Sequence, residues 1–308
     1  MALIRPPRLR AGARVALVAP AGPVTEQRIT HALEQCTALG LVPVLGEHAR
    51  GRNGYLSAPD AERARDVQAA IDDDSIEAIW GLRGGYGTMR ILPLLDLHRM
   101  RARPKAYIGF SDNTAVHLAL LNAGVISFHA PHAGGDFGPD VQAVFRSVLF
   151  EAKPAGRLPL LGGEPAQTLT PGRAAAPLIG GNLALLAALC GTPYQPMTAG
   201  RILFLEDVGE PAYRVDRMLM QLKLAGVFDG VAGVVVGHFT ECEAREGEPD
   251  ASMVVNEFVR SLGVPAATGF PIGHVPANWT LPVGVRAELD ADDGAVSLLE
   301  AAVTDTTA

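Results

Sequence analysis

The chain has 308 residues, enough for one large domain or two medium ones with buried cores. Hydrophobic residues make up 48% and charged residues 19%, a balance typical of folded globular proteins and not of disordered chains. The net charge of −7 excludes a basic surface for nucleic acid, and no apolar run approaches the roughly 18 residues that a membrane span needs. The apolar run Val15–Ala19 is too short for a signal-peptide core, and three widely spaced cysteines fit a reducing compartment. We therefore expect a cytoplasmic protein with neither a nucleic-acid nor a membrane partner.

Strands and helices alternate through the first half of the sequence. Thr25 is placed to open a helix and Gly40 to end it. The predicted elements are strands at Val15–Ala19, Leu41–Leu45, Ile76–Trp80 and Val125–Phe128, with helices at 25–39 and Asp60–Ile71. This order predicts an α/β fold whose first domain is a parallel sheet covered by helices on both faces.

A further unit of this half carries the first candidate for chemistry. The apolar strand Tyr107–Phe110 runs into Ser111-Asp112-Asn113, and Thr114–Asn122 reads as the next helix, with Gly124 at its end. A serine at such a turn lies beside backbone N–H groups that helix geometry leaves unpaired, so a nucleophile and half of an oxyanion hole fit there. The alternative is that Ser111 simply caps the helix.

Residues 151–177 break the alternating pattern. They are rich in proline and glycine, including Gly162 and Gly163, and are predicted to be an irregular linker. We expect the linker to join a first domain, 1–150, to a second α/β domain, 178–308. Elements predicted in the second domain are strands at Arg201–Leu205 and Val231–Val236, helices at Pro211–Ala225 and Ser252–Leu262, and a hairpin of Val285–Leu289 with Ala295–Leu299.

A nucleophilic serine needs a base and a group that orients the base. Among eight histidines, His274 stands out because it lies in a long loop fixed by prolines and glycines. His129 and His132, which follow a strand of the first domain, compete for the same role. For the carboxylate, Glu206 ends an apolar strand, but Asp207 and Glu210 follow closely, and sequence logic leaves the three open.

The glycine loop Arg83-Gly84-Gly85-Tyr86-Gly87 lacks the spacing and the lysine of a phosphate-binding loop. Its glycines allow the backbone to approach a substrate and to point N–H groups at a developing oxyanion. We expect Arg83, Gly84 and Tyr86 to contact substrate, with Arg83 available for a carboxylate. A tight structural turn is the alternative.

Four segments together carry a resemblance to a known family. The segments are 83–96, 108–114, 203–219 and 273–282, in that order along the chain. They resemble the LD-carboxypeptidase family of serine peptidases, the muramoyltetrapeptide carboxypeptidases. The resemblance implies a triad of Ser111, Glu206 and His274, with the backbone N–H groups of Asp112 and Gly85 as the oxyanion hole. The serine then lies in the first domain and its partners in the second, so the active site is expected between the domains.

The implied activity is hydrolysis of the L,D-amide bond that releases terminal D-alanine from murein tetrapeptides during peptidoglycan recycling. The resemblance implies a homodimer and implies neither a metal nor a cofactor. One alternative within the family is an immunity-type hydrolase of peptidyl or aminoacyl adenylate analogues, like the microcin C self-immunity proteins. That substrate calls for an aromatic platform, and the linker and the segment after 180–183 offer Tyr194 but no tryptophan. The alternative of another class is a non-catalytic protein that binds a small peptide or sugar.

Overall fold

The computed structural model describes residues 3–161, 165–242, 244 and 247–305. The described chain divides into two compact units. The first unit holds the chain up to Lys153, together with residues 280–282 and the chain from Ala301 onward. The second unit holds residues 154–279 and 283–300. The chain therefore leaves the first unit twice and returns to it twice.

The first unit alternates strands with helices, as predicted. Its strands are β1 (Arg14–Val18), β2 (Val42–Leu45), β3 (Ala78–Gly81), β4 (Ala106–Gly109) and β5 (Ser127–His129). Its helices are α1 (Glu26–Ala38), α2 (Asp60–Asp72), α3 (Thr88–Ile91), α4 (Arg99–Ala102), α5 (Thr114–Asn122) and α6 (Pro139–Leu149). Short 3₁₀ turns lie at Leu92–Leu94 and Ser111–Asn113.

The later part of the chain contributes further strands and helices, and most of these strands form a second sheet. Its strands are β6 (Gly156–Arg157), β7 (Gln167–Thr170), β8 (Arg173–Asn182), β9 (Ile202–Val208), β10 (Gly233–Thr240), β11 (Ala266–Thr268), β12 (Leu281–Val283), β13 (Arg286–Asp290) and β14 (Ala295–Leu298). Its helices are α7 (Leu183–Ala188), α8 (Ala212–Leu224) and α9 (Ala251–Ser261). Of these strands, β12 belongs to the sheet of the first unit.

The two sheets differ in strand direction. In the first unit the strand order is β12-β5-β4-β3-β1-β2, and the pairings from β5 through β2 are parallel. The strand order of the second sheet is β6-β14-β13-β8-β9-β10-β11-β7. The strands from β8 to β11 pair in parallel, and the strands on either side of this group pair antiparallel. The α/β class, with a parallel sheet in the first part and a second α/β unit, is confirmed.

Local sequence signals explain several element ends. Thr25 caps α1, because its hydroxyl accepts a hydrogen bond from the Arg28 N–H at 3.3 Å. Gly40 and Gly124 follow the ends of α1 and α5 with φ of 82° each, the left-handed conformation of a glycine that ends a helix. The predicted hairpin is confirmed as the antiparallel pair β13–β14.

The prediction that residues 151–177 are an irregular linker is wrong. The segment holds β6, β7 and the start of β8, all in the second unit. Its glycines and prolines mark the breaks between strands, as at Gly172, where a φ of 121° turns β7 into β8. Pro177 lies within β8 and shows that proline does not exclude a strand. Gly162 and Gly163 lie outside the described residues.

Candidate active site

Ser111 stands at a sharp turn at the carboxyl end of β4. Phe110 is extended, and Ser111 then takes a φ of 60°, a left-handed conformation that non-glycine residues rarely adopt. Such a conformation costs on the order of 1–3 kcal/mol and persists only where the surroundings enforce it. Asn113, and not Ser111, occupies the N-cap position of α5. The capping role considered for Ser111 is therefore not the one that the structure gives it.

The side chain of Asn113 holds the turn from beneath. Its Oδ1 accepts a hydrogen bond from the Tyr107 hydroxyl at 2.7 Å, and its Nδ2 donates to the Phe110 carbonyl at 3.2 Å. Glycine at the ends of β3 and β4 makes room for it, since a Cβ on Gly109 or Gly81 would lie 3.0 or 3.3 Å from Asn113 atoms. The strand ends are thus shaped to support the strained serine.

The glycine loop after β3 comes into close contact with the serine turn. A Cβ on Gly84 would lie 2.9 Å from both Cβ and Oγ of Ser111 and 3.2 Å from the Asp112 nitrogen. The Gly84 carbonyl accepts a hydrogen bond from the Gly22 N–H at 3.0 Å, which fixes the loop in this position. The next residue, Gly85, has a φ of 105°. A side chain at position 84 would therefore occupy the space around the serine hydroxyl.

Asp112 is buried directly after the serine. Its Oδ2 accepts a hydrogen bond from the Thr88 N–H at 2.8 Å, which ties the serine turn to the start of α3. Burial raises the pKa of the Asp112 carboxyl, although the bonds from Thr88 and the charge of Arg63 act in the opposite direction. The Asp112 side chain therefore serves the architecture of the turn, and its backbone N–H remains the candidate oxyanion donor.

The other predicted substrate contacts lie on the same loop. The Arg83 guanidinium donates to the Pro23 carbonyl at 2.8 Å, and its side chain is exposed. Tyr86 is 49% exposed and packs edge-on against the Tyr55 ring, with ring centroids 5.6 Å apart. Both side chains are placed on the surface of the first unit beside the glycines.

The second unit contains a buried carboxylate paired with a histidine. Oε2 of Glu206 lies 2.8 Å from Nδ1 of His274. The Glu206 side chain is fully buried, whereas that of His274 is 23% exposed. Burial acts to lower the pKa of His274, but the hydrogen bond and charge of Glu206, aided by Asp207 and Glu241, outweigh it and raise the pKa above its ordinary value. The pair thus favours the imidazolium form while leaving the ring accessible.

The backbone before His274 is built around the carboxylate. Gly273 has a φ of 109°, and a Cβ there would lie 2.7 Å from Glu206 Oε2, so only glycine allows this approach. Oδ1 of Asn278 accepts a hydrogen bond from the Gly273 N–H at 3.0 Å and holds the loop in place. Sequence reasoning assigned no role to Gly273 or Asn278, although the glycine directly before the histidine was a usable signal.

The competing acids have structural partners. Asp207 accepts hydrogen bonds from Asn182 Nδ2 at 2.8 Å and from the Ala184 N–H at 2.9 Å, at the start of α7. Burial, together with the charge of Glu206, raises its pKa to about 6. Glu210 forms an ion pair with Arg214 at 2.9 Å. Glu206 is the acid of the three that contacts His274.

The competing histidines are buried in the first unit. His132 Nε2 lies 3.1 Å from the Phe110 carbonyl and 3.2 Å from Asn113 Nδ2, beneath the serine turn. The ring of His129 packs against that of Phe110, with centroids 5.7 Å apart. A third ring, that of His117, contacts the Gly109 carbonyl at 2.8 Å and Ser127 Oγ at 2.9 Å. These histidines support the strands on which the serine stands.

The described residues contain neither a metal-binding cluster nor a membrane-spanning helix. In that part of the chain, no group of three or more His, Cys, Asp and Glu side chains is arranged to hold a metal ion. The same residues include no helix with the length and apolar character needed to cross a bilayer.

Comparison with known proteins matches both halves of the chain. The profile of the LD-carboxypeptidase N-terminal domain matches residues 15–130, and that of the LD-carboxypeptidase C-terminal domain matches residues 175–289. The murein tetrapeptide carboxypeptidase of Pseudomonas aeruginosa is 35% identical, over 91% of this chain and 94% of that protein. The crystal structure of muramoyltetrapeptide carboxypeptidase from Oxalobacter formigenes superposes with a TM-score of 0.81 at 30% identity, over 93% and 98% of the two chains. The microcin C7 self-immunity protein of Escherichia coli is also similar, at 27% identity over 92% of this chain and 91% of its own.

Proposed function

The chain belongs to the LD-carboxypeptidase family, and we propose that it hydrolyses the L,D-amide bond that releases terminal D-alanine from murein tetrapeptides. The observation that carries this proposal is the strained turn at Ser111, with Gly84 packed on its hydroxyl. Strain of this kind is retained where a reactive side chain must be presented in one orientation. The names of the Pseudomonas and Oxalobacter relatives supply the substrate.

We assign the roles of a serine hydrolase to three residues. Ser111 Oγ attacks the scissile carbonyl carbon, and His274 Nε2 takes the hydroxyl proton. When the C–N bond breaks, the same proton passes to the leaving amine of D-alanine. Water, deprotonated by His274, then attacks the acyl-enzyme ester and regenerates Ser111. Glu206 holds the imidazole through Nδ1 and stabilises the imidazolium formed in each step.

We assign the oxyanion hole to the backbone N–H groups of Asp112 and Gly85. Both assignments are supported by the packing of the glycine loop on the serine turn, since Gly84 lies against Ser111 and the Asp112 nitrogen. Preorganised N–H groups stabilise the negative oxygen of the tetrahedral intermediate. Arg83, Gly84 and Tyr86 are proposed to contact the substrate beside it.

The mechanism requires no metal and no cofactor, because the nucleophile, base and oxyanion donors are all groups of the chain. We further propose that the protein is a cytoplasmic homodimer, as its family suggests. Light scattering of the purified protein tests the dimer, and fractionation of cells that express it tests the location. A monomeric mass would contradict the dimer, and recovery outside the cytoplasm would contradict the location. Neither result bears on the proposed reaction.

The deciding experiment is mass spectrometry of products from a defined murein tetrapeptide. Wild-type protein should release D-alanine and leave the tripeptide, and Ser111→Ala should reduce kcat by roughly 10⁴- to 10⁶-fold while leaving the fold intact. Near-normal hydrolysis by Ser111→Ala would rule out the assigned nucleophile. A sulfamoyl analogue of an aminoacyl adenylate, assayed in parallel, tests the immunity-type activity, and binding of the tetrapeptide without turnover would support the non-catalytic alternative.

A further inference from the structure

A polar cavity of about 350 Å³ opens in the first unit, at the carboxyl edge of its sheet. One wall is the beginning of α1, with Arg28 and His31, and the other is the loop after β5, with Gly135 and Asp136. Loops at the carboxyl ends of parallel strands are where α/β proteins bind ligands. None of these residues has a role in the mechanism assigned above.

Glycine and glutamine build the cavity by holding the two walls together. Gly134 has a φ of 73°, and a Cβ there would lie 2.5 Å from the Arg28 carbonyl, so the loop packs directly on the backbone of α1. The Gly134 N–H donates to Gln35 Oε1 at 2.9 Å, and Gln35 Nε2 donates to the Gly135 carbonyl at 3.4 Å. The positions of Arg28 and Asp136 are therefore fixed by the fold.

Arg28 contributes an incompletely satisfied positive charge to this cavity. Its side chain is half-buried, and its buried Nε has no hydrogen-bond acceptor among the described residues. Burial and the nearby charge of Arg83 lower its pKa, but a guanidinium stays protonated. A buried donor without an acceptor is costly, and a carboxylate fits the paired donors of a guanidinium.

Asp136 brings the opposite charge to the same cavity. Its charge acts on Arg28 and raises the pKa of the guanidinium, yet the two side chains form no ion pair within the described part of the chain. A ligand with a carboxylate alone would face Asp136 as a like charge. A ligand that carries an ammonium beside its carboxylate would satisfy both walls.

The cavity adjoins the proposed catalytic turn within the same unit. Arg83, whose charge acts on Arg28, directly precedes Gly84, and Gly84 packs on Ser111. Arg83 also donates to the Pro23 carbonyl, two residues before Thr25, the N-cap residue of α1. A substrate bound at the serine would therefore have the cavity beside it.

We infer that this cavity binds the zwitterionic end of the diaminopimelate side chain, with Arg28 on its carboxylate and Asp136 on its ammonium group. The inference rests on the proposed function, and it takes the residue that precedes the terminal D-alanine of the murein tetrapeptide to be meso-diaminopimelate, whose side chain ends in an ammonium and a carboxylate. Arg28 and Asp136 are then specificity-determining residues. They distinguish a diaminopimelate peptide from one that carries lysine, which keeps the ammonium but lacks the carboxylate.

Calorimetric binding to the Ser111→Ala variant tests the inference without turnover. Two tetrapeptides, one with meso-diaminopimelate and one with L-lysine at the third position, are compared in the Ser111→Ala background and with Arg28→Gln or Asp136→Asn added. Arg28→Gln should weaken the diaminopimelate peptide about 10- to 100-fold and leave the lysine peptide within about twofold, since only the former has the carboxylate. Asp136→Asn should weaken both peptides, because both carry the ammonium group.

Arg99→Gln, an exposed arginine paired with Asp72 on the same unit, is the matched control and should change neither affinity. Equal weakening of both peptides by Arg28→Gln would show that Arg28 binds another part of the substrate and would overturn the inference, as would no weakening of either. Should Arg28→Gln lose its circular dichroism or its cooperative melting, Asp136→Asn decides alone, and an unchanged affinity for both peptides overturns the inference. Hydrolysis of the diaminopimelate tetrapeptide by the wild-type enzyme is measured separately. Absence of hydrolysis would contradict the proposed function, whereas the binding data on the Arg28 and Asp136 variants test the subsite.

Discussion

Replacement of Glu206 by glutamine keeps the shape of the Glu206–His274 pair and removes its negative charge. Two effects are expected. The ring of His274 loses the partner that favours its charged form, and the amide of glutamine can present an N–H to Nδ1, which favours the wrong imidazole tautomer. Both effects weaken the histidine as a base and as a proton donor.

The magnitude follows from the geometry of the pair. Opposite unit charges at the observed 2.8 Å attract by about 6 kcal/mol at an effective dielectric constant of 20. The imidazolium exists only after proton transfer, so this attraction acts mainly on the transition state. Since each 1.36 kcal/mol is a factor of ten in rate, we expect Glu206→Gln to lower kcat by about 10⁴-fold.

The pH dependence of kcat/KM gives a signature that simple damage to the fold would not. His274 must be neutral to act as a base, and its pKa is raised in the protein, principally because the bond and charge of Glu206 outweigh the opposing effect of burial. Loss of the charge should therefore move the acidic limb of the profile toward lower pH. Glu206→Asp, which keeps the charge on a shorter side chain, is the control and should retain the acidic limb closer to that of wild type.

The assay is tetrapeptide hydrolysis by wild type and both variants between pH 4.5 and 9, with melting temperatures measured at each pH. An acidic limb that stays in place or moves upward in Glu206→Gln would refute the electrostatic reasoning. A loss of less than about tenfold in kcat would show that the pair does not act in the proton transfer.

Two further predictions concern the serine turn and the strands beneath it. Gly84→Ala places a Cβ 2.9 Å from Ser111 Oγ and should lower kcat by about 10²-fold in the same assay. The control is Gly138→Ala, whose Cβ would have no atom within 4 Å, and it should leave kcat unchanged. Equal activity of the two variants would contradict the close packing. Burial lowers the pKa of His117 to about 4, so between pH 6.5 and 4 the unfolded chain binds a proton at this residue and the folded chain does not. The free energy of unfolding should therefore fall by roughly 3 kcal/mol as the pH drops from about 6.5 to 4. In urea unfolding, the free energy of unfolding should differ less between pH 7 and pH 4.5 in His117→Gln than in wild type. An equal or larger difference in the variant would contradict the assignment.

Much of the fold was predictable because local signals set it. The strand, turn and helix around Ser111, the Thr25 cap and the β13–β14 hairpin each follow from residue types a few positions apart. The linker prediction failed for a physical reason. Proline and glycine discourage regular structure only on average, and Gly172, with a φ of 121°, makes the tight turn between β7 and β8. The glycine that suggested an irregular linker therefore connects two strands.

The candidate site was predictable only in part, because its parts are distant in sequence. Spacing alone did not choose among Glu206, Asp207 and Glu210. In the structure Glu206 is the acid that contacts His274, and Gly273 allows the backbone to approach its carboxylate. Arg28 and Asp136 carried no sequence signal. Arg28 lies at the start of α1 and Asp136 in the loop after β5, 108 residues later, and they meet because β1 and β5 end at the same edge of one sheet.

The path of the chain has a consequence for anyone who divides this protein. Because β12 and the segment from Ala301 belong to the first unit, a fragment that stops at Lys153 omits an outer strand of its sheet and the Thr304 carbonyl that accepts from Arg8. The backbone of β5 on that side would then be open to pairing with other chains, the usual origin of aggregation in truncated sheets. A fragment that retains its fold therefore has to be made as a permutation or a fusion that restores β12, and a tag at the carboxyl terminus attaches to the same unit as one at the amino terminus.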